Sequence, residues 1–193
     1  MREGSKKPAT RNSAATPHLF QENHQPATDY VGIPAVVSEA RRYYTVASLP
    51  AEVIAGNKVY VAEDPDGLLI ALVSSSMFIT WQRAVGGRLK SDLSFSNTLV
   101  WNTFPVPDLD EGTRLRVIQA GQGVLDARKR HPERSLADAY NPLAMDPALV
   151  KAHDVLDREV DRAFGALRKL GNERQRLELL FARYVELAPK EHS

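Results

Sequence analysis

The spacing of apolar residues along this 193-residue chain changes near Asp110. Upstream, the pattern is short and extended. "YVGIPAVV" (Tyr30 to Val37) and "RYYTVAS" (Arg42 to Ser48) are rich in β-branched and aromatic residues and predict strands. "LPAEVIAG" (Leu49 to Gly56) reads as a short helical turn, with Pro50 early and Gly56 as its stop. "NKVYVAE" predicts another strand, and Asp64-Pro65-Asp66-Gly67 a turn. The apolar stretch from Leu68 to Val85 predicts one or two helices closed by Gly86-Gly87. Next comes "GGRLKSDLSFSNTLVWNTFPVP". Arg88, Lys90, Asp92, Ser94 and Ser96 alternate with Leu89, Leu93 and Phe95, which predicts a strand with one polar face.

Downstream, the spacing becomes helical. Leu115, Ile118 and Val124-Leu125 predict a helix to about Arg130, and Asn141-Pro142 breaks the chain. Leu149, Ala152, Leu156, Val160, Ala163 and Leu167 then recur at three- and four-residue steps, as do Leu177, Leu180, Phe181, Tyr184 and Leu187. These are two amphipathic helices joined near Gly171-Asn172. Leu156, Val160, Phe164, Leu177, Phe181 and Tyr184 are their expected buried faces. Asp154, Asp157, Glu159 and Asp161 read as a solvated face, and His153 with Asp157 as a packing pair four residues apart. The fold class expected is α+β, a mixed α/β unit followed by a small all-α unit. Residues 1–17 are small, polar and basic and read as a flexible arm or linker. Residues 18–109 form the mixed unit and 110–193 the helical one.

Composition narrows the functions available. With no cysteine, disulfides and cysteine-zinc sites are excluded, which fits a reducing cytoplasm. No stretch has the roughly 20 apolar residues of a membrane span, and no apolar signal-peptide core opens the chain. The net charge is only +1, so any nucleic-acid surface must come from local clustering rather than from the whole molecule. Enzymatic signatures are missing: no Gly-x-Gly-x-x-Gly loop, no Gly-Lys-Ser/Thr phosphate loop, no Asn-Pro-Pro-aromatic methyltransferase motif and no Glu-x-Lys nuclease motif. The five histidines have no metal-ligand spacing. Neither catalytic nor metal-binding residues are expected in this chain.

Five blocks taken in order carry a resemblance. They are "TPHLFQENHQPATDYVGIPAVVSEARRYYTV", "LPAEVIAGNKVYV", "SSSMFITWQRAVGGRLKSDLSFSNTLVWNTFPVP", "YNPLAMDPALVKAHDVLDREVDRAFG" and "RLELLFARYVEL". Together they resemble the target-recognition and C-terminal helical domains of MmeI-like DNA methyltransferases, over roughly Thr16 to Leu187. The chain departs from the family's Ser-Glu-Arg-Arg at Ser38-Glu39-Ala40-Arg41-Arg42. The resemblance implies a sequence-specific DNA recognition module of an adenine-specific DNA methyltransferase. The parent would be a restriction–modification or phage-defence enzyme that can carry an endonuclease. Catalytic domains and S-adenosylmethionine would then belong to N-terminal parts of a longer parent, with no cofactor in this chain. The partners implied are double-stranded DNA and the methyltransferase domain of the same polypeptide.

Base chemistry then selects candidates. Lysine and arginine donate to guanine, aspartate accepts from cytosine, asparagine reads adenine and serine reads either. Lys90, Asp92 and Ser94 on one strand face, with Asn57 and Lys58 at the start of another strand, are the candidate base readers. Arg41, Arg42, Arg83 and Arg88 sit near turns and helix ends and are the candidate phosphate contacts. A solvated strand would show the same alternation, with Arg88 and Asp92 as a surface ion pair. In that reading the C-terminal helices would serve as a protein–protein docking module. Trp81, Trp101 and Phe104 are expected in the core, and Ser96, Asn97 and Asn102 are alternatively turn-fixing residues.

Overall fold

The computed structural model describes residues 3–16 and 25–187. Residues 1, 2 and 17 of the expected arm lie outside them. Within 3–16 the chain forms one short helix, α1 (Pro8–Asn12), with no buried residue.

The first half is built on one central strand that serves two sheets. Strand β1 (Tyr30–Pro34) runs almost directly into β2 (Val36–Val37). In the first sheet β1 lies between β3 (Ala47–Leu49) and β4 (Val59–Glu63), antiparallel to both. Tyr30 faces Leu49 on one side and Glu63 on the other. At Ala35 the chain changes sheets. The Ala35 N–H donates to the Lys58 carbonyl (2.8 Å), and its own carbonyl accepts from the Phe95 N–H (2.9 Å).

Two helices follow. In α2 (Leu68–Val73), Asp64 accepts from the Leu69 and Ile70 amides at 3.0 and 2.9 Å, so the expected turn is also a helix cap. Gly67, at φ 84°, makes the bend into it. In α3 (Ser76–Val85), every residue from Met77 to Gln82 is buried. Then come β5 (Gly87–Leu89), β6 (Asp92–Ser94) and a wide turn at Asn97–Trp101, where the Asn102 amide reaches back to the Asn97 carbonyl. The second sheet is β2-β6-β5, again antiparallel.

The second half is helical: α4 (Glu111–Lys129), a short α5 (Leu136–Ala139), α6 (Pro147–Ala163) and α7 (Glu173–Leu187). Asp110 caps α4 through the Thr113 amide (2.9 Å). Asp146 caps α6 through the Ala148 amide (2.8 Å), with Pro147 as the first helical residue. Helix α4 lies close against α2. A Cβ on Gly121 would come within 2.5 Å of the Ala71 Cβ, so only glycine permits this approach. One hydrophobic core runs through both halves and includes Tyr44, Phe78, Phe95, Phe104, Val117, Leu156 and Leu180.

The α+β class and the helices on either side of Asp110 match the expectation. Several details do not. Of the Arg42–Ser48 stretch only Ala47 and Ser48 are strand, because Tyr43 turns inward onto His153 of α6 and Tyr44 into the core. Leu49 to Gly56 holds no helix, only a turn closed by the Val53 amide on the Pro50 carbonyl. Leu156, Val160 and Phe164 are buried. Phe181 and Tyr184 pack on the Trp81 ring yet stay 46% and 40% exposed, since α7 lies at the surface. Leu167 falls beyond the end of α6 and is exposed.

The acidic face of α6 is also not simply solvated. Asp157 is buried and accepts from the Ser76 amide (2.7 Å) and hydroxyl (2.6 Å). Asp161 is buried against Arg176. His153 does not pair with Asp157. Its ring stacks on Tyr43, with centroids 3.7 Å apart, and its Nε2 lies 2.7 Å from the Tyr140 hydroxyl. Burial, followed by the charges of Arg128 and Arg42, pushes the His153 pKa well below 6.5.

A histidine held neutral by the fold must gain a proton when the chain unfolds in acid. Its contribution to stability is therefore complete above about pH 6.5 and falls by up to about 1.4 kcal/mol per pH unit below it. Asp157 and Asp161 act in the opposite sense. Burial raises both, so their contribution is lost as pH rises through their folded pKa values. His153→Gln should remove only the histidine slope. Denaturant midpoints for both proteins from pH 5 to 8 check this, and parallel profiles would contradict it.

Candidate nucleic-acid interface

The stretch from Gly86 to Phe95 is a hairpin, not one strand. Gly87 pairs with Ser94, Arg88 with Leu93 and Leu89 with Asp92. Lys90 and Ser91 make the reversal, with Lys90 at φ 57°. A lysine in this left-handed region costs on the order of 1 kcal/mol and needs its surroundings to hold it. The expectation that Lys90, Asp92 and Ser94 share one strand face is thus corrected. Lys90 is an exposed turn residue, while Asp92 and Ser94 share a face of β6, about 7 Å apart. Opposed residues of an antiparallel pair lie on the same side. Arg88 therefore shares a side with buried Leu93, opposite to Asp92.

This geometry also removes the expected Arg88–Asp92 pair. The Arg88 guanidinium donates to the Ser91 carbonyl at 3.1 Å, across the turn. The Asp92 carboxylate accepts from the Glu39 amide at 3.3 Å. Asp92 thus anchors the loop that carries Arg41 and Arg42.

The second candidate stretch comes to the same place. Asn57 and Lys58 are exposed in the turn just before β4. Lys58 is bonded to the Ala35 N–H and Phe95 to the Ala35 carbonyl, so the two stretches flank one residue. The Tyr60 ring meets Phe95 edge-on, with centroids 5.0 Å apart. Two polar stretches over thirty residues apart in sequence are thereby fixed side by side, joined through the partly exposed Tyr60 and the buried Phe95.

The four arginines divide. Arg83 is a clamp: it donates to the Arg41 carbonyl (2.8 Å) and the Glu39 carbonyl (3.3 Å), and it forms an ion pair with Glu173 at the start of α7. Burial, then the charge of Arg88, lowers its pKa below the usual arginine value. Arg41 donates to the Ala137 carbonyl (2.8 Å), and Arg42 lies 3.5 Å from Asp154 with both side chains about half exposed. Arg88 remains exposed on the edge strand. The clamping role of Arg83 has no signal in the sequence, because its partners are main-chain groups of a distant loop. Ser96 caps the wide turn through the Leu99 amide (3.2 Å), and Asn97 holds the Thr98 amide (2.9 Å), so both fix backbone.

Among the described residues no group of three or more His, Cys, Asp or Glu side chains is arranged to hold a metal ion. No helix among them is long and apolar enough to cross a membrane.

Comparison with known proteins gives matches of three kinds. Residues 1–108 match the family model described as MmeI, target recognition domain, and residues 110–191 match MmeI, C-terminal domain. The chain is 34% identical over 189 residues to DNA methyltransferase A of Bacillus subtilis (strain 168), covering 98% of this chain and 21% of that protein. It is also similar to the solved structure of the Type IIL restriction-modification enzyme MmeI in complex with DNA. The TM-score there is 0.86 at 37% identity, over 96% of this chain and 25% of that one. The chain therefore spans about a fifth of the first protein and a quarter of the second.

Proposed function

Since the chain belongs to the MmeI family, with both its target recognition and its C-terminal domains matched, we propose that it is the sequence-specific DNA recognition module of a DNA methyltransferase of the restriction–modification type. One observation carries the reading. Ala35 fixes the exposed turn at Asn57-Lys58 beside the Lys90–Ser94 hairpin, so two groups of base-reading side chains stand on one rigid base. Lys90, Asp92, Ser94, Asn57 and Lys58 are the proposed base readers. Arg41, Arg42 and Arg88 are the proposed phosphate contacts. Arg83 serves mainly to hold the loop that carries two of them.

S-adenosylmethionine and the catalytic groups would come from the methyltransferase domain of a longer polypeptide, with adenine as the methylated base. An endonuclease on that polypeptide would make it a bifunctional enzyme. A cytoplasmic location goes with that role.

The test is duplex binding by this chain as a function of salt. The contacts of Arg41, Arg42 and Arg88 alone contribute about −2.7 to the slope of log affinity against log salt, a loss of at least roughly 40-fold between 50 and 200 mM KCl. Fluorescence anisotropy with a labelled mixed-sequence duplex measures it. Affinity that is absent, or flat across this range, would count against the proposal.

A further inference from the structure

A cleft of about 480 Å³ lies between α3, α6 and the start of α7, away from the hairpin. Its inner charges are satisfied: Asp161 by Arg176, Asp157 by Ser76, and Glu173 by Arg83. Its rim is different. Arg158 and Lys169 line it, both exposed and with no hydrogen bond or ion pair among the described residues. Arg168, in the same state, lines the adjoining hollow with them. Arg42 completes the rim, and its exposed contact with Asp154 is worth at most about 1 kcal/mol, little enough for the guanidinium to change partner. On the wall, the buried Thr80 hydroxyl has no hydrogen-bond partner among the described residues.

We propose that this rim is a second DNA-backbone contact, in which Arg42, Arg158, Arg168 and Lys169 hold phosphates flanking the bases read at the hairpin. The inference rests on the DNA-recognition reading above. Three observations support it. Three cations left without partners, at the mouth of a cleft whose inner acids are already satisfied, suit a polyanion, and Asp154 on the rim is the one acid that Arg42 must leave. The rim is rigidly tied to the hairpin, because Asp92 holds the Glu39 amide while Arg83 holds the Glu39 and Arg41 carbonyls and Glu173. Finally, Leu167 is the one large apolar side chain exposed among the residues lining the adjoining hollow, too little apolar surface for the core of a protein interface.

The experiment is Arg158→Gln/Lys169→Gln in this chain, with anisotropy on a mixed-sequence duplex of about 30 bp over a range of KCl concentrations. Both side chains are exposed, and a circular dichroism melt confirms folding. Losing two phosphate contacts should make the salt slope shallower by about 1.8 and weaken binding to different duplexes by the same factor. Arg88→Gln serves as the reference for the hairpin. If Arg88→Gln reduces the slope and the double variant does not, the cleft proposal is wrong, the DNA reading stands, and the rim cations are left to a protein partner. If the unaltered chain binds no duplex, both proposals fail.

Discussion

Replacing Arg176 with leucine should cost the fold about 3–5 kcal/mol, the usual loss when one member of a buried ion pair is removed. The Arg176 guanidinium grips Asp161 with two parallel hydrogen bonds, at 2.9 and 2.8 Å. Its side chain is 10% exposed and that of Asp161 is 4% exposed. Without Arg176 the carboxylate keeps its desolvation cost and loses its compensation. Burial already raises the Asp161 pKa, with Arg176 opposing, so the variant should also take up a proton at higher pH. Asp161→Leu should be similarly destabilising. The double leucine variant should recover most of the loss, because two apolar groups of suitable size leave no charge behind. Denaturant titration of the four proteins checks this, and a single-variant loss below about 1 kcal/mol would contradict it. The pair joins α6 to the first turns of α7, where Glu173 meets Arg83. A weakened α7 should therefore loosen the Ser38–Arg42 loop as well.

How much of this was legible depends on where each element gets its determinants. Helices α4, α6 and α7 carry theirs locally, as apolar residues at helical spacing. For α4 and α6 there are also start signals at Asp110 and at Asp146-Pro147. The buried acids of α6 were not legible. Asp157 and Asp161 look like any solvated carboxylates until Ser76 and Arg176 arrive from other helices. Tyr43 and Tyr44 suggested a strand by composition, but their burial against α6 and the core overrides that preference. The hairpin was hidden for a different reason. Its turn is Lys90-Ser91, without the glycine, asparagine or aspartate that usually marks a reversal. An even polar alternation thus ran unbroken across a point where the chain changes direction. The two stretches of the candidate site were recognisable from their residue types. Their meeting at Ala35 was not, because it depends on one residue bonding to both sheets.

The hairpin geometry gives Asp92 two roles that a single substitution would confuse. It faces outward on β6 beside Ser94, and its carboxylate anchors the Glu39 amide. Asp92→Asn keeps an oxygen that can accept from Glu39 but loses the charge, while Asp92→Arg loses both. If Asp92 reads a base edge, a duplex pool with randomised sequence, selected on this chain and sequenced, should show cytosine favoured at one position. Aspartate accepts from the cytosine amino group, whereas arginine donates to guanine. Asp92→Arg should move that position towards guanine, with a discrimination of about 1–3 kcal/mol, and leave the others unchanged. Asp92→Asn should relax the preference while keeping the salt slope, because Arg41 and Arg42 stay in place. Arg42→Gln should weaken binding to every sequence alike and preserve the preference. If both Asp92 variants select the same sequences as the unaltered chain, Asp92 acts only as the anchor of the Ser38–Arg42 loop. Base choice would then pass to Lys90, held in its left-handed turn, and to Asn57 and Lys58 across Ala35.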